Sequence, residues 1–149
     1  MPNVWNPVLI TEPTSDALHT VRLSYETMLV AVLDAMLDRY EQNPDYPFID
    51  TKLNLITGAD FVPDADPARD FKSKRVIYGW IQGRGLEGLA GHTEWLPMCS
   101  ILTTAEQQAR GQRLRSMIRD VLEMMETLRA QNHGRMPFMM SPDGQPFHI

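Results

Sequence analysis

Two long segments of this chain carry apolar residues at every third or fourth position, which is the spacing of an amphipathic α-helix. The first segment predicts a helix from about 15 to 42. Ser15 and Asp16 stand where an N-cap is expected, and Asn43-Pro44 ends the helix because proline cannot continue the hydrogen-bond ladder. Its apolar stripe contains adjacent apolar pairs and is wider than one neighbouring helix can cover.

The second segment is the clearest helix in the sequence. Thr103 is the predicted N-cap, Glu106 three residues later completes a capping box, and Gly134 follows the predicted end. Arginines and acidic residues are interleaved on the face opposite the apolar stripe. We interpret this face as an exposed, salt-bridged surface and not as a nucleic-acid-binding stripe.

A further helix is predicted from Lys74 to about Leu96, because apolar residues return to helical spacing there. Five of the nine glycines of the chain lie within its positions 79 to 91. Each glycine destabilises an exposed helix by about 1 kcal/mol relative to alanine. Since glycine also lets a backbone, a ring or a ligand approach closely, we expect tight packing or a binding site at the start of this helix.

Two segments are predicted to be non-helical. Residues 43–71 contain four of the chain's prolines with several apolar residues, which predicts a long ordered loop. Ser141-Pro142-Asp143-Gly144 lies between two short extended arms and predicts a C-terminal β-hairpin. The predicted fold is therefore a single all-α domain over residues 1–149, built from helical hairpins and ending in a short β-hairpin.

Composition excludes several classes of partner. The 14 lysines and arginines against 19 aspartates and glutamates give a net charge of −5, the wrong sign for binding nucleic acid or an anionic membrane. No apolar run is long enough to span a bilayer, and the N-terminus lacks the pattern of a signal peptide. The single cysteine, Cys99, excludes an internal disulfide and fits a reducing, cytoplasmic location.

Conventional catalytic signatures are missing from the sequence. Gly83-Arg84-Gly85-Leu86-Glu87-Gly88 matches a GxGxxG pattern, but no βαβ unit surrounds it. The four histidines, His19, His92, His133 and His148, are dispersed, and no two share the i, i+4 spacing of a helical metal pair. We therefore expect neither a metal ion nor a nucleotide or other cofactor.

The most informative residues for function are Trp80 and Arg84. They are four positions apart, so they share a helix face, and Gln82 lies to the side. An indole ring can stack on the C–H groups of a sugar while a neighbouring guanidinium donates to its oxygens. The alternative is an arginine packed on a core tryptophan as a structural cation–π pair, and the sequence leaves both open.

The segment Tyr78-Gly-Trp-Ile-Gln-Gly-Arg84 also carries a family resemblance. Together with Asp50-Thr-Lys-Leu-Asn-Leu-Ile-Thr-Gly58 before it, and Gly134-Arg-Met-Pro-Phe138 and Pro142-Asp-Gly144 after it, the segment resembles the N-terminal part of the N-acylglucosamine 2-epimerase family. This family includes mannose isomerases and cellobiose 2-epimerases and has an (α/α)6-barrel fold. The resemblance implies that the chain corresponds to the N-terminal third of such a barrel.

The same resemblance implies a sugar site. Trp80 and Gln82 would bind the substrate, and Arg84 would be catalytic by stabilising the negative oxygen of an enediolate-like intermediate. None of the four histidines matches the acid/base pair of the family, so we expect the chain alone to be inactive. The expected function is that of a sugar 2-epimerase or aldose–ketose isomerase of carbohydrate metabolism, represented by its N-terminal fragment.

Two alternatives come from other classes of protein. A helical domain could bind carbohydrate through Trp80 and Arg84 without catalysis, or the glycine-rich helix could be a surface for self-association. The expected partners are a small-molecule sugar and, for the exposed apolar faces, either a second copy or the remainder of the barrel.

Overall fold

The computed structural model describes residues 14–54, 56–66 and 70–147. The first helix, α1, spans Ser15–Glu41, within one residue of the sequence prediction. Its N-cap is Thr14, whose hydroxyl accepts a hydrogen bond from the backbone N–H of Ala17 at 3.2 Å. The prediction of Ser15 or Asp16 as the cap is therefore wrong, because both residues already lie inside the helix.

The helix predicted from Lys74 to about Leu96 begins later than its apolar pattern indicates. Ile77–Tyr78 form a short strand, β1, and the helix α2 spans Gly79–Trp95, followed by a 3-10 turn at Leu96–Met98. The start predicted at Lys74 is wrong because β1 pairs with a distant segment, β2, at Met139–Met140. The pairing is antiparallel and places Ile77 opposite Met140.

The third helix, α3, spans Thr104–Gln131 and confirms the sequence prediction. The side chain of Thr103 accepts from the backbone N–H of Glu106, and the Glu106 carboxylate accepts from the backbone N–H of Thr103 at 2.8 Å. This reciprocal arrangement is the predicted capping box. Beyond the helix, Gly134 has a φ of +81°, the left-handed conformation that glycine adopts without strain.

The C-terminal turn closes where the sequence predicts it. The backbone N–H of Ser141 donates to the carbonyl of Gln145 at 3.0 Å, and Met140 forms an antiparallel bridge with Pro146. The chain is thus all-α with a small β element, as expected. The sequence did not predict that the first arm of this turn also pairs with β1.

The hydrophobic core lies on one side of α3, where both α1 and α2 pack. Leucine and methionine dominate it, and residues of the loop after α1 contribute as well. Its buried members are Leu33, Leu37, Phe48, Ile49, Ile77, Leu89, Leu96, Leu114, Met117, Val121, Met125, Leu128 and Met140.

Charged pairs connect α1 to α3 beside this core. Arg110 makes a two-pronged contact with Asp34, with both N–O distances at 2.8 Å. Arg113 binds Asp38 at 2.6 Å and Glu41 at 2.7 Å. The exposed salt-bridged face predicted for α3 is confirmed by Arg119–Asp120 at 3.2 Å and Arg129–Glu126 at 2.6 Å, whereas Arg110 and Arg113 pair with α1.

The loop after α1 is fastened by ionic contacts. Asp50 accepts from Arg39 at 2.7 Å and from Lys74 at 3.1 Å, and Asp60 pairs with the same two cations. This alternating cluster joins the end of α1, the start of the loop, its middle and the residues before β1. Among the helices in the described ranges, none is long and apolar enough to cross a membrane.

Candidate functional site

Trp80 and Arg84 lie in the first two turns of α2 and face solvent. Trp80 is 55% exposed, and the Arg84 side chain is 76% exposed. The Arg84 guanidinium lies 3.4 Å from the carboxylate of Glu87, one turn later on the same face. A tryptophan buried beneath its arginine would have favoured the structural cation–π alternative, but both side chains remain accessible to a ligand.

Gln82 has a different environment. It is only 1% exposed, and its Oε1 accepts from the backbone N–H of Ile49 at 2.8 Å while its Nε2 donates to the carbonyl of the same residue at 3.0 Å. The carboxamide therefore fastens the loop to α2. Because these bonds occupy its amide inside the core, the assignment of Gln82 to substrate binding is corrected to a structural role.

Two of the helical glycines are explained by close packing. A Cβ on Gly79 would be closer to the carbonyl oxygen of Pro137 than real Cβ atoms ever are. At Gly85 an added Cβ would lie 2.5 Å from Cδ1 of Ile49. The start of α2 therefore needs glycine where the loop and the C-terminal segment cross it, as the sequence predicted.

The other glycines of α2 leave its exposed face smooth. An added Cβ at Gly83, Gly88 or Gly91 would meet nothing within 4 Å. By helical spacing these positions lie on or next to the face of Trp80 and Arg84. This face therefore presents an indole ring and a guanidinium beside a strip of bare backbone.

A groove of about 530 Å³ lies between the end of α3 and the C-terminal turn. Phe138 is 62% exposed at its edge, and its carbonyl accepts from the backbone N–H of Gly79 at 3.1 Å. The Phe138 ring also meets the ring of Tyr78 edge to face, with 6.2 Å between their centroids. The groove thus adjoins the strand–helix junction that directly precedes Trp80. Its lining consists of Asn132, His133, Arg135, Pro137, Phe138, Met139, Pro146 and Phe147.

The polar side chains of this groove are available to a ligand. The side chains of His133 and Arg135 have no hydrogen-bonding or ionic partner within the described part of the chain. His133 has a φ of 55°, a left-handed conformation that is uncommon for a residue other than glycine. Asn132 holds the turn by donating from Nδ2 to the carbonyl of Arg135 at 3.0 Å.

Sequence reasoning missed this groove. In the sequence His133 is one of four dispersed histidines, and Phe138 belongs to an arm of the predicted hairpin. The signal that was present is an exposed phenylalanine on each side of the turn, next to prolines that keep the backbone extended. Neither position is unusual alone, and the turn brings the two arms together through the hydrogen bond from the backbone N–H of Phe147 to the carbonyl of Met139.

A buried lysine, Lys52, contacts Tyr78 at the junction between β1 and α2. The Nζ of Lys52 donates to the carbonyl of Phe71 at 3.1 Å and lies 4.5 Å from the centre of the Tyr78 ring. Burial lowers the pKa of Lys52. Because the amine is enclosed and bonded, it orients Tyr78 and does not face the groove.

The site offers stacking surfaces and hydrogen-bond donors without metal ligands. Within the ranges described, no group of three or more His, Cys, Asp or Glu side chains is arranged to hold a metal ion. His92 packs edge to face on Trp95, with 5.8 Å between the ring centroids, and burial lowers its pKa. We therefore interpret His92 as a structural residue.

No known protein family matches the chain. Neither a curated protein nor a solved structure is significantly similar to it. The epimerase resemblance therefore depends on the short motifs at 50–58, 78–84, 134–138 and 142–144.

Proposed function

We propose that this chain binds a sugar, and that it is the N-terminal portion of a sugar 2-epimerase or aldose–ketose isomerase. The observation that carries the proposal is the exposure of aromatic rings and of hydrogen-bond donors around the start of α2 and the adjoining groove. Trp80 and Phe138 present their rings to solvent, and Arg84, Arg135 and His133 supply donors. Aromatic faces with nearby donors suit a polyhydroxylated ring.

The proposed chemistry is removal of a proton next to the sugar carbonyl. Arg84 would stabilise the developing oxyanion, for which its ion pair with Glu87 must open or rearrange. That pair is exposed and therefore weak, which makes such a change inexpensive. Trp80 would position the sugar ring. The base would come from outside this chain, so we propose that the chain alone binds sugar without converting it.

Ligand titration followed by NMR tests the binding. Mannose, glucose, N-acetylglucosamine and cellobiose are added to the labelled protein, and we expect shifts at the Trp80 indole and the Phe138 ring. Trp80→Ala and Phe138→Ala should weaken these shifts several-fold. Met98→Ala is the matched control, since Met98 is also an exposed apolar residue but follows the opposite end of α2. Equal binding by all three variants would contradict the proposed site.

Deuterium incorporation at C2 of the sugar tests the catalytic half of the proposal. In deuterated buffer we expect none with the 149-residue chain alone. Incorporation that disappears in His133→Ala would show that the base lies in this groove, and would overturn the inactive-fragment interpretation. Incorporation that disappears in Arg84→Ala would assign the oxyanion role directly.

A second candidate function is self-association through α1. Its residues Leu18, Tyr25, Met28 and Val32 are exposed and follow the spacing of a heptad repeat. Between positions 17 and 33 the only permanently charged residues are Arg22 and Glu26, and they pair with each other at 2.7 Å. This apolar, nearly uncharged face suits another helix, supplied by a second copy or by the remainder of the protein.

Sedimentation at several concentrations tests the second candidate. We expect weak dimerisation of the wild-type chain, because a face of this length buries less than the roughly 1,600 Å² of a standard interface. Val32→Glu should abolish it. Leu122→Glu is the matched control, since Leu122 is exposed on α3. Dimers that persist in Val32→Glu would place the interface elsewhere, and a monomer at millimolar concentration would exclude a second copy as the partner.

A further inference from the structure

We propose that Arg115 is the centre of a second binding site, which takes the carboxylate or phosphate group of a small molecule. The site lies between the end of α2 and the first turns of α3, apart from the groove at the C-terminal turn. It concerns a different ligand group from the proposed sugar site, and neither proposal depends on the other.

The first argument is the contrast between Arg115 and the other arginines of α3. Four of the five have a carboxylate partner, and these pairs are Arg110–Asp34 at 2.8 Å, Arg113–Glu41 at 2.7 Å, Arg119–Asp120 at 3.2 Å and Arg129–Glu126 at 2.6 Å. Arg115 has neither an ionic nor a hydrogen-bonding partner among the described residues. Its guanidinium therefore keeps all its donors free.

The second argument is the position of this guanidinium. It folds back along α3 over Gly111, so that an added Cβ there would lie 3.2 Å from Nη1 and 3.7 Å from Cζ. Helical side chains lean toward the N-terminus, and the missing Cβ lets the flat group rest against the helix. Gly111 thus brings the donors of Arg115 toward Gln108 and Thr104, which share its helix face.

The third argument is the composition of the cavity that these residues line. It has a volume of about 270 Å³, and no aspartate or glutamate is among the described residues lining it. The side chains of Gln108 and Thr104 have no hydrogen-bond partner in the described part of the molecule. One free cation, two free neutral groups and no carboxylate make a cavity that favours an anion.

The acids of this helix closest in sequence to Arg115 and to the cavity are already engaged. Asp120, five residues after Arg115, pairs with Arg119 at 3.2 Å. Glu106 accepts from the backbone N–H and the hydroxyl of Thr103 at 2.8 and 2.7 Å, and these bonds lower its pKa. Gln107, whose side chain borders the same cavity, donates to the carbonyl of Cys99 at 2.9 Å. These bonds fix the surroundings while leaving Arg115 unpaired.

The size of the cavity limits the ligand. Its volume is about 270 Å³, and it is open to solvent on one side. This space suits inorganic phosphate, a short carboxylic acid, or the anionic end of a larger molecule. Guanidinium groups bind both oxyanions through two parallel hydrogen bonds, so the two classes share one recognition chemistry.

NMR titration of the full chain with inorganic phosphate and with acetate tests the site. Sodium chloride keeps the ionic strength constant and serves as the third arm. We expect side-chain shifts at Arg115 and Gln108 with phosphate, acetate or both, and none with chloride alone. The stronger of the two oxyanions identifies the source of the group. Identical shifts with chloride would overturn the proposal.

Variants distinguish this site from a solvated surface arginine. Arg115→Gln should weaken binding by about tenfold or more, because it removes a charged two-pronged contact. Arg115→Lys keeps the charge without the fork and should give an intermediate affinity. Arg129→Gln is the matched control, since Arg129 lies on the same helix outside the cavity. Equal weakening in Arg115→Gln and Arg129→Gln would show a general charge effect and refute the site.

Discussion

Replacing Glu26 with glutamine is predicted to destabilise the protein in a pH-dependent manner. Glu26 is 5% exposed on α1, and its carboxylate accepts from the backbone N–H and hydroxyl of Ser100 at 2.9 and 2.6 Å. It also accepts from Nε of Arg22 at 2.7 Å. This carboxylate therefore ties α1 to the segment between the 3-10 turn and α3.

The magnitude follows from the pKa of this carboxyl. Hydrogen bonds from Ser100 and Arg22 lower the pKa of Glu26 from 4.5 to about 2. Such a difference corresponds to at most about 3 kcal/mol at neutral pH. Because Arg22 is largely exposed, solvent screening reduces the expected contribution to about 2 kcal/mol. Glutamine keeps the shape of the Glu26 side chain but removes its negative charge. Its amide NH₂ group would also face the donors of Ser100 or Arg22, where a carboxylate oxygen accepts.

The sign of the pH dependence is fixed by the lowered pKa. The stabilisation is fully present above the unfolded-state pKa of 4.5 and disappears as the pH falls toward 2. We therefore expect Glu26→Gln to cost about 2 kcal/mol at pH 7, and progressively less between pH 4.5 and pH 2.

Urea unfolding of both proteins at pH 7, 5 and 3 measures this difference. The difference between variant and wild type is the informative quantity, since other acids also titrate in this range. Glu123→Gln is the matched control, because Glu123 is exposed on α3, and it should change stability by less than about 0.5 kcal/mol. A Glu26→Gln penalty that matches this control, or that is the same at pH 3 as at pH 7, would refute the reasoning.

Four further substitutions test individual contacts. Gly79→Ala should destabilise the protein by about 2 kcal/mol or more, since the added Cβ collides with a backbone carbonyl. Gly88→Ala adds a Cβ in open space and should stabilise the protein by up to about 1 kcal/mol. Thermal unfolding measures both changes. Gln82→Ala should cost about 2 kcal/mol in urea unfolding, because it leaves the N–H and carbonyl of Ile49 unpaired; a smaller cost than for an exposed glutamine would contradict this role. Thr103→Ala should lower the stability by about 1 kcal/mol through loss of the cap on α3, and an unchanged melting temperature would show that the cap is dispensable.

The parts of the fold that the sequence predicted are those with local causes. The periodicity of α1 and α3 extends over many turns, and the capping box at Thr103 involves residues only three positions apart. The turn at 141–145 likewise depends on adjacent residues. By contrast, β1 is two residues long, too short to show a period, and its partner lies beyond α3. Its apolar residues therefore resemble a helical turn.

The candidate site shows the same division. Spacing along the chain correctly placed Trp80 and Arg84 on one helix face, because the helical period is a local property. It did not reveal that Gln82 is buried, since its partner Ile49 belongs to a distant loop. The groove around Phe138 was also not predicted: its lining residues all lie between positions 132 and 147, but the irregular backbone there gives no periodic signal in the sequence.

The pairing of β1 with β2 has a consequence for synthesis at the ribosome. The N–H of Gly79 at the start of α2 bonds to the carbonyl of Phe138, which is translated only after the whole of α3. When α2 leaves the exit tunnel, this partner does not yet exist. The first residue of α2 therefore lacks this bond while α3 is made, although Gln82 can already bond to Ile49, which is translated earlier. The junction that precedes Trp80 is thus completed only after residues 138–140 have emerged.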